Sequence, residues 1–293
     1  MVATALIQGQ EHVFHVAGLK LVARRWGSLT GKPVLALHGW LDNCASFERL
    51  APLLDGLDLV CLDMAGHGHS DHRPHLGAYN IWQDISELFA IADQLQWSNF
   101  SLLGHSRGAM VAMLAAGTFP SRIERLLMIE GACPRVALPQ DAAQNLADSL
   151  RFLSACSQRS PSVYASFAEA VAARENGLFP LLHEDALLLA QHGVQDIGGN
   201  GGLDGYSWLY DPKLMAGSEV KFSLEQVESF VARIQAPTML VLAKNGALKD
   251  SMIRQWIDDR REHWRIVEVE GGHHLHMSSH CDVVASLAAA HFQ

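Results

Sequence analysis

Phe100-Ser101-Leu102-Leu103-Gly104-His105-Ser106-Arg107-Gly108, followed by Ala109 to Gly117 (AMVAMLAAG), is the stretch on which the reading of this chain turns. The run Phe100 to Leu103 has the short apolar character of a buried strand, and the run from Ala109 reads as a buried helix that Pro120 ends. Between them lies a G-x-S-x-G string in the strand-turn-helix setting of a nucleophile elbow. A strand that reverses sharply into a helix brings two backbones together, so a side chain at Gly104 or Gly108 would block the turn that presents Ser106 in a strained conformation. The serine also falls at a helix N-terminus, where free N–H groups and the helix dipole favour a developing oxyanion. A Gly-Ser turn capping a helix is the plainer reading of the same residues, and the rest of the chain has to choose between the two.

Outward from the elbow, short strand-like runs alternate with helical ones. VFHV and LKLVARRW (residues 13–16 and 19–26) read as a hairpin pair; PVLALHG, DLVCLDM and IERLLMIE are near-continuous apolar runs of the kind buried parallel strands show. SFERLAPLLD and YNIWQDISELFAIADQLQ space their apolar residues at three and four, as amphipathic helices do. Past Glu130 the pattern changes: residues 134–235 are rich in Ala, Leu, Gln and Ser and read mostly as helices, interrupted by GGNGGLDG (198–205). That glycine run is no dinucleotide fingerprint, because no strand precedes it and no helix opens from it. PTMLVLAKN, DSMIRQWIDDR, WRIVEVEGG and CDVVASLAAAHF then restore strand, helix, strand and helix. The alternation predicts one α/β core from residues 1–133 and 236–293, with a helical lid, 134–235, emerging from it.

A serine hydroxyl is a weak nucleophile at neutral pH and needs a base. Gly272-His273-His274-Leu275-His276 follows the last strand-like run, and His273 is the first imidazole at a loop where a strand end would face the elbow. Leu37-His38-Gly39-Trp40 closes the third run, where a glycine turn aims a backbone N–H at the nucleophile; the amides of Trp40 and Arg107 would form an oxyanion hole, with His38 bracing the turn.

HGW, DMAGHGHS, GHSRGA and GGHHLHM, in this order and spacing, resemble the α/β-hydrolase fold superfamily over nearly the whole chain. HGWLDNCASFERLAPLL and GYSWLYDPKLM are most similar to its serine-hydrolase-like branch. The resemblance implies a mostly parallel eight-stranded sheet flanked by helices with an inserted helical cap, Ser106 as nucleophile, His273 as base, and Trp40 and Arg107 as oxyanion donors. It disfavours dehalogenase and epoxide hydrolase chemistry, whose proteins carry aspartate where Ser106 stands. The superfamily usually seats its acid in a G-x-x-D pattern after the seventh core strand, but here that stretch reads Ala243-Lys244-Asn245-Gly246. Two carboxylates are alternatives. Glu130 ends the sixth strand run, where some members carry their acid and where a buried carboxylate needs a reason; Asp250 lies past the seventh run and also reads as a helix N-cap. The Arg107 side chain would either lean into the substrate pocket and grip a carboxylate or pair with an acid such as Glu130.

His67, His69, Asp71 and His72 spell H-x-H-x-D-H, with ligand types suited to zinc. The same residues complete D-x-x-G-H-G-x-S from Asp63 to Ser70, a turn of the resembled superfamily, and Arg73-Pro74 stand where a metallo-β-lactamase-like chain has glycines. The composition fits an ordinary globule: 293 residues, 49% hydrophobic and 18% charged. With 22 basic against 31 acidic residues, a formal charge of -9, the chain is a poor match for nucleic acid. Neither an export signal nor an apolar span of membrane length is present. Five cysteines without a C-x-x-C pair read as reduced thiols in a cytoplasmic protein. The expectation is a cofactor-independent, metal-free serine hydrolase that cleaves a small-molecule carboxylic ester or thioester through an acyl-enzyme with Ser106, His273 and Glu130. A non-catalytic ligand-binding relative is one rival, since fold does not fix function; a metal-dependent hydrolase built on His67, His69, Asp71 and His72 is the other. Neither the acyl chain nor the oligomeric state is written in the sequence.

Overall fold

The computed structural model describes residues 7–74, 77–156, 162–198, 204–249, 253–278 and 280–293. Its centre is an eight-stranded sheet made of β1 (Ile7–Val16), β2 (Leu19–Gly27), β3 (Lys32–Leu37), β4 (Leu57–Leu62), β5 (Phe100–His105), β6 (Ile123–Ile129), β9 (Thr238–Ala243) and β10 (Arg265–Val269). The spatial order is β1-β2-β4-β3-β5-β6-β9-β10. β1 and β2 form an antiparallel hairpin and β2 meets β4 antiparallel; every other pairing is parallel. The parallel strands are apolar on both faces because each face is covered. Alternation along β3 shows the division. Leu35 and Leu37 join Leu62, Leu102 and Leu126 under the helices α1 (Ile81–Gln94) and α2 (Arg107–Thr118). Val34 and Ala36 join Leu59, Leu103 and Val241 on the other face, against α8 (Cys281–Phe292).

Local chemistry sets the helix ends. At the start of α1 the Asn80 carbonyl accepts from the Gln83 N–H at 3.0 Å while the Asn80 N–H donates to Gln83 Oε1 at 2.9 Å, closing the first turn on itself. SFERLAPLLD departs from the helix its spacing predicts: it forms two 3-10 segments, Cys44–Phe47 and Ala51–Leu53. Pro52 has no N–H to continue an α-helical ladder, and the backbone breaks around it.

Between β6 and β9 run α3 (Ala142–Cys156), α4 (Phe167–Glu175), α5 (His183–Gly193), a two-stranded ribbon of β7 (Val194–Asp196) and β8 (Tyr206–Trp208), and α6 (Leu224–Val231). The ribbon is an addition to the helical reading of this segment, and most of the glycine run between its strands falls outside the described residues. α6 lies against α2, where a Cβ on Gly117 would overlap the Phe230 backbone. α7 (Ile253–Asp258) follows β9. All five cysteines are buried. Among the described residues no helix is long and apolar enough to cross a membrane.

The hairpin is locked to the parallel strands by one buried ion pair. Arg25 on β2 donates from Nε and Nη2 to the two carboxylate oxygens of Asp58 on β4, at 2.7 and 2.6 Å. Removing one partner strands the other charge in the interior. Asp58→Ala should therefore cost about 3–5 kcal/mol of unfolding free energy in urea titration. A loss below about 1 kcal/mol, the value of an exposed pair, would show that this bridge is solvated.

Candidate active site

β5 ends at His105 and α2 begins at Arg107, leaving Ser106 alone in the turn at φ 51° and ψ −114°. This is backbone that a residue with a Cβ adopts only under constraint, and three glycines supply it. A Cβ at Gly108 would overlap the Leu37 carbonyl, one at Gly131 would overlap the Ser106 carbonyl, and one at Gly104 would press into Gly108 and Ala109. Helix, neighbouring strand end and turn thus meet at backbone contact distance. The Ser106 N–H donates to Ile129 O at 2.8 Å, fastening the turn to the end of β6.

His273 lies in the loop after β10, and its Nε2 is 2.9 Å from Ser106 Oγ. On the other side of the ring, Nδ1 is 3.1 Å from Glu130 Oε2. Glu130 is 1% exposed and directly follows β6 at φ 49°. Its carboxylate accepts from the Ala243 N–H at 2.7 Å and the Ala247 N–H at 2.9 Å. The superfamily's usual acid seat, Gly246, matters here for lacking a side chain: a Cβ there would overlap the Glu130 carboxylate. The Glu130 side chain, from the end of β6, fills the space that Gly246 leaves free after β9. Asp250, the alternative acid, lies outside the described residues. Burial pushes the His273 pKa below its ordinary 6.5 and the neighbouring His105 adds to this, while the hydrogen bond to Glu130 opposes it. The imidazole is neutral at pH 7, the state a general base needs.

The turn after β3 runs beside the elbow, since β3 and β5 are neighbours and the Gly108 N–H donates to His38 O at 3.1 Å. His38 braces that turn from both nitrogens, with Nδ1 2.7 Å from Gly39 O and Nε2 accepting from the Met64 N–H at 3.1 Å. Trp40 therefore stands next to Arg107, and neither backbone amide has an acceptor among the described residues. Of the two expectations for the Arg107 side chain, the internal ion pair is the one found: its guanidinium is 2.6 Å from Asp84 Oδ2 on α1 and 3.4 Å from Tyr79 O, so the partner is Asp84 rather than Glu130. The zinc-like string also disperses. His67 Nδ1 faces Ala65 O, the Asp71 carboxylate accepts from the Lys20 N–H, His72 Nε2 faces Leu209 O, and His69 offers its backbone N–H to Asp63. These four side chains share no common point.

Other residues, from both sides of the site, pack around the serine and the imidazole. His105 Nε2 is 2.9 Å from His273 O and steadies the loop that holds the base. Phe179, between α4 and α5, lies over the His273 ring with centroids 4.1 Å apart. Arg174 on α4 reaches Asp42 at 2.6 Å, and His274 Nε2 is 3.2 Å from the same carboxylate. Burial alone would raise the Asp42 pKa, yet His274 and Arg174 hold it well below the usual carboxylate range. Two cavities flank Trp40. One of about 380 Å³ is lined by Trp82, Arg107, Met110 and Phe222 among others; the other, about 130 Å³, is lined by Phe179, Trp208 and Tyr210. Phe167, an aromatic of the same segment, packs on Tyr206 instead.

The sequence matches the family model for the alpha/beta hydrolase fold over residues 32–279. It is 32% identical to human (Homo sapiens) serine hydrolase-like protein 2 over 277 residues, covering 88% of this chain and 86% of that one. A serine hydrolase-like protein of Danio rerio is 28% identical, covering 87% and 79%. Among solved structures, a hypothetical protein from Pseudomonas aeruginosa PAO1 superposes with TM-score 0.89 at 38% identity, over 97% of this chain and 98% of that one. A thioesterase domain from the curacin biosynthetic pathway gives TM-score 0.84 at 25% identity, over 98% and 99%.

Two outcomes test this geometry. The kcat/KM profile should lose activity as pH falls, with a midpoint below 6.5, because burial lowers the His273 pKa and only the neutral ring accepts a proton. In Glu130→Gln the plateau should fall roughly 10⁴-fold and the midpoint move further down, since the carboxylate that raises the pKa is gone. A midpoint above 6.5, or a plateau kept in Glu130→Gln, would contradict the arrangement. Separately, Glu130→Gly should lose activity to a similar extent, and adding Gly246→Asp should return at least tenfold of it by placing a carboxylate in the same space. No recovery would mean that the two seats are not equivalent.

Proposed function

The chain belongs to the α/β-hydrolase fold family, and within it we propose a serine hydrolase that cleaves a carboxylic ester, or a thioester, through an acyl-enzyme. The observation that carries this reading is the line from Ser106 Oγ to His273 Nε2, 2.9 Å, and from His273 Nδ1 to Glu130 Oε2, 3.1 Å, on a strained turn. A non-catalytic ligand binder has no use for a hydroxyl held at positive φ against a neutral imidazole whose far nitrogen faces a buried carboxylate.

The steps follow from the geometry. Ser106 Oγ attacks the carbonyl carbon as His273 Nε2 takes the hydroxyl proton. The imidazolium so formed is stabilised by Glu130, whose carboxylate accepts from two backbone amides and faces the ring. The carbonyl oxygen becomes an oxyanion between the N–H groups of Trp40 and Arg107, the latter at the N-terminus of α2. His273 returns the proton to the leaving alcohol or thiol, and a water activated by the same ring releases the acid.

Residues 134–235 act as a cap over a core of residues 1–133 and 236–293, carrying Phe179 onto His273 and Arg174 onto Asp42. The aromatic lining of both cavities favours an apolar acyl or alcohol group. Likeness to a thioesterase domain keeps thioesters beside esters.

A fluorophosphonate should label Ser106 covalently, and Ser106→Ala should abolish labelling and lower kcat on aryl esters by roughly 10⁶-fold. A panel of matched esters and thioesters then sets the leaving group. Retained turnover in Ser106→Ala would refute the assignment.

A further inference from the structure

Away from the elbow, a second cluster of ligand-type side chains joins the cap segment to the core. Cys44 opens the 3-10 segment after β3, Asp63 follows β4, and His192 stands near the end of α5. Cys44 Sγ is 3.2 Å from His192 Nε2, and Asp63 Oδ2 is 2.8 Å from the same nitrogen. Sulfur, oxygen and nitrogen donors all lie within 4.8 Å of one another. We infer that Cys44, Asp63 and His192 form a binding site for a divalent cation of the zinc type, with water completing the coordination.

The convergence on one ring nitrogen carries the argument. The thiol and the carboxylate both crowd Nε2, which has a single proton or lone pair to offer, and the thiol also lies against the same carboxylate, so the three donor atoms close on one point. Three donors facing one point is the arrangement of a metal site. Sulfur, imidazole and carboxylate together suit zinc, with bond lengths of about 2.3, 2.0 and 2.0 Å. Tetrahedral placement at those lengths asks the observed pairs to open by roughly half an ångström or less.

The surroundings fit a preformed site. The Asp63 carboxylate is oriented by two backbone amides, from Cys44 at 2.7 Å and His69 at 2.9 Å, which fix it as outer partners fix a metal ligand. Asn43 Nδ2 donates to Leu189 O at 2.9 Å, holding α5 against the segment that carries Cys44. The exposed His69 ring packs edge-on to His192, centroids 4.6 Å apart, and marks the path to solvent. The side chain paired with Asp63 is an imidazole and not a guanidinium or an ammonium. By contrast Asp42, His105 and His274 also converge, but there the Arg174 guanidinium already neutralises the carboxylate at 2.6 Å. On binding, the thiol proton leaves to solvent and a sulfur–metal bond forms, with no change in oxidation state.

The test uses the whole chain after dialysis against a chelator. Zinc titrated against a chromophoric chelator should show one tight equivalent, and Cys44→Ser and His192→Gln should each weaken it at least tenfold, while His274→Gln leaves it unchanged. Cobalt(II) should give a thiolate charge-transfer band in the wild type that disappears in Cys44→Ser. The thermal midpoint of the wild type should rise with zinc. If zinc does not bind, if the wild-type cobalt spectrum lacks the thiolate band, or if the loss follows His274→Gln instead, the inference is overturned. The wild-type spectrum decides even where a variant fails to fold, and Ser106 labelling in the same samples reports the hydrolase reading independently.

Discussion

Ser106 is held at φ 51° by backbone on three sides, and that steric confinement is what the surrounding architecture serves. A residue in such a conformation costs on the order of 1–3 kcal/mol, which only a rigid neighbourhood can impose. The parallel sheet provides the rigidity, because β3, β5 and β6 end together and glycines at 104, 108 and 131 let helix and strand ends close to contact. The same proximity that strains the serine sets the amide of Arg107 beside it and brings the turn carrying Trp40 alongside.

The strain is repeated one strand over. Glu130 at φ 49° mirrors Ser106 at the end of the adjacent strand, and both are anchored by their own N–H to the carbonyl of a neighbouring strand, Ser106 to Ile129 and Glu130 to Val241. Turning the chain at this point swings the carboxylate under the loop of His273, where the Ala243 and Ala247 amides receive it. The acid is therefore part of the sheet's rim and not of a flexible loop, and its position is as well defined as the serine's.

Several histidines are buried in the interior: burial pushes the pKa of His38, His67 and His276 below the ordinary imidazole value, and that of His274 down to about 4, opposed by Asp42. A ring that stays neutral when folded but charges when unfolded penalises the fold as pH drops, for His274 between 6.5 and about 4. Arg174 and Asp42 stand out against this background as the permanent charge pair tying α4 to the turn after β3. The positions of α4 and of the His273 loop are thus coupled through one buried carboxylate, since His274 is the residue next to His273.

Sequence patterning alone determined the succession along the chain of the strands in the central sheet, the elbow, and Ser106 and His273 as candidates. These are local properties: apolar runs of strand length, glycines that a tight reversal demands, and an imidazole just past a strand end. Glu130 was legible as the favoured carboxylate because a buried carboxylate at a strand terminus requires partners, whereas its seating in the space left by Gly246 is a fact about two strand ends far apart in the chain. Pro52 could have warned that SFERLAPLLD would not be one helix. The fate of the Arg107 side chain, the dispersal of His67, His69, Asp71 and His72, and the meeting of Cys44, Asp63 and His192 were decided by tertiary structure. A side chain's partner depends on which elements the fold packs against it, and periodicity along the chain carries no record of that.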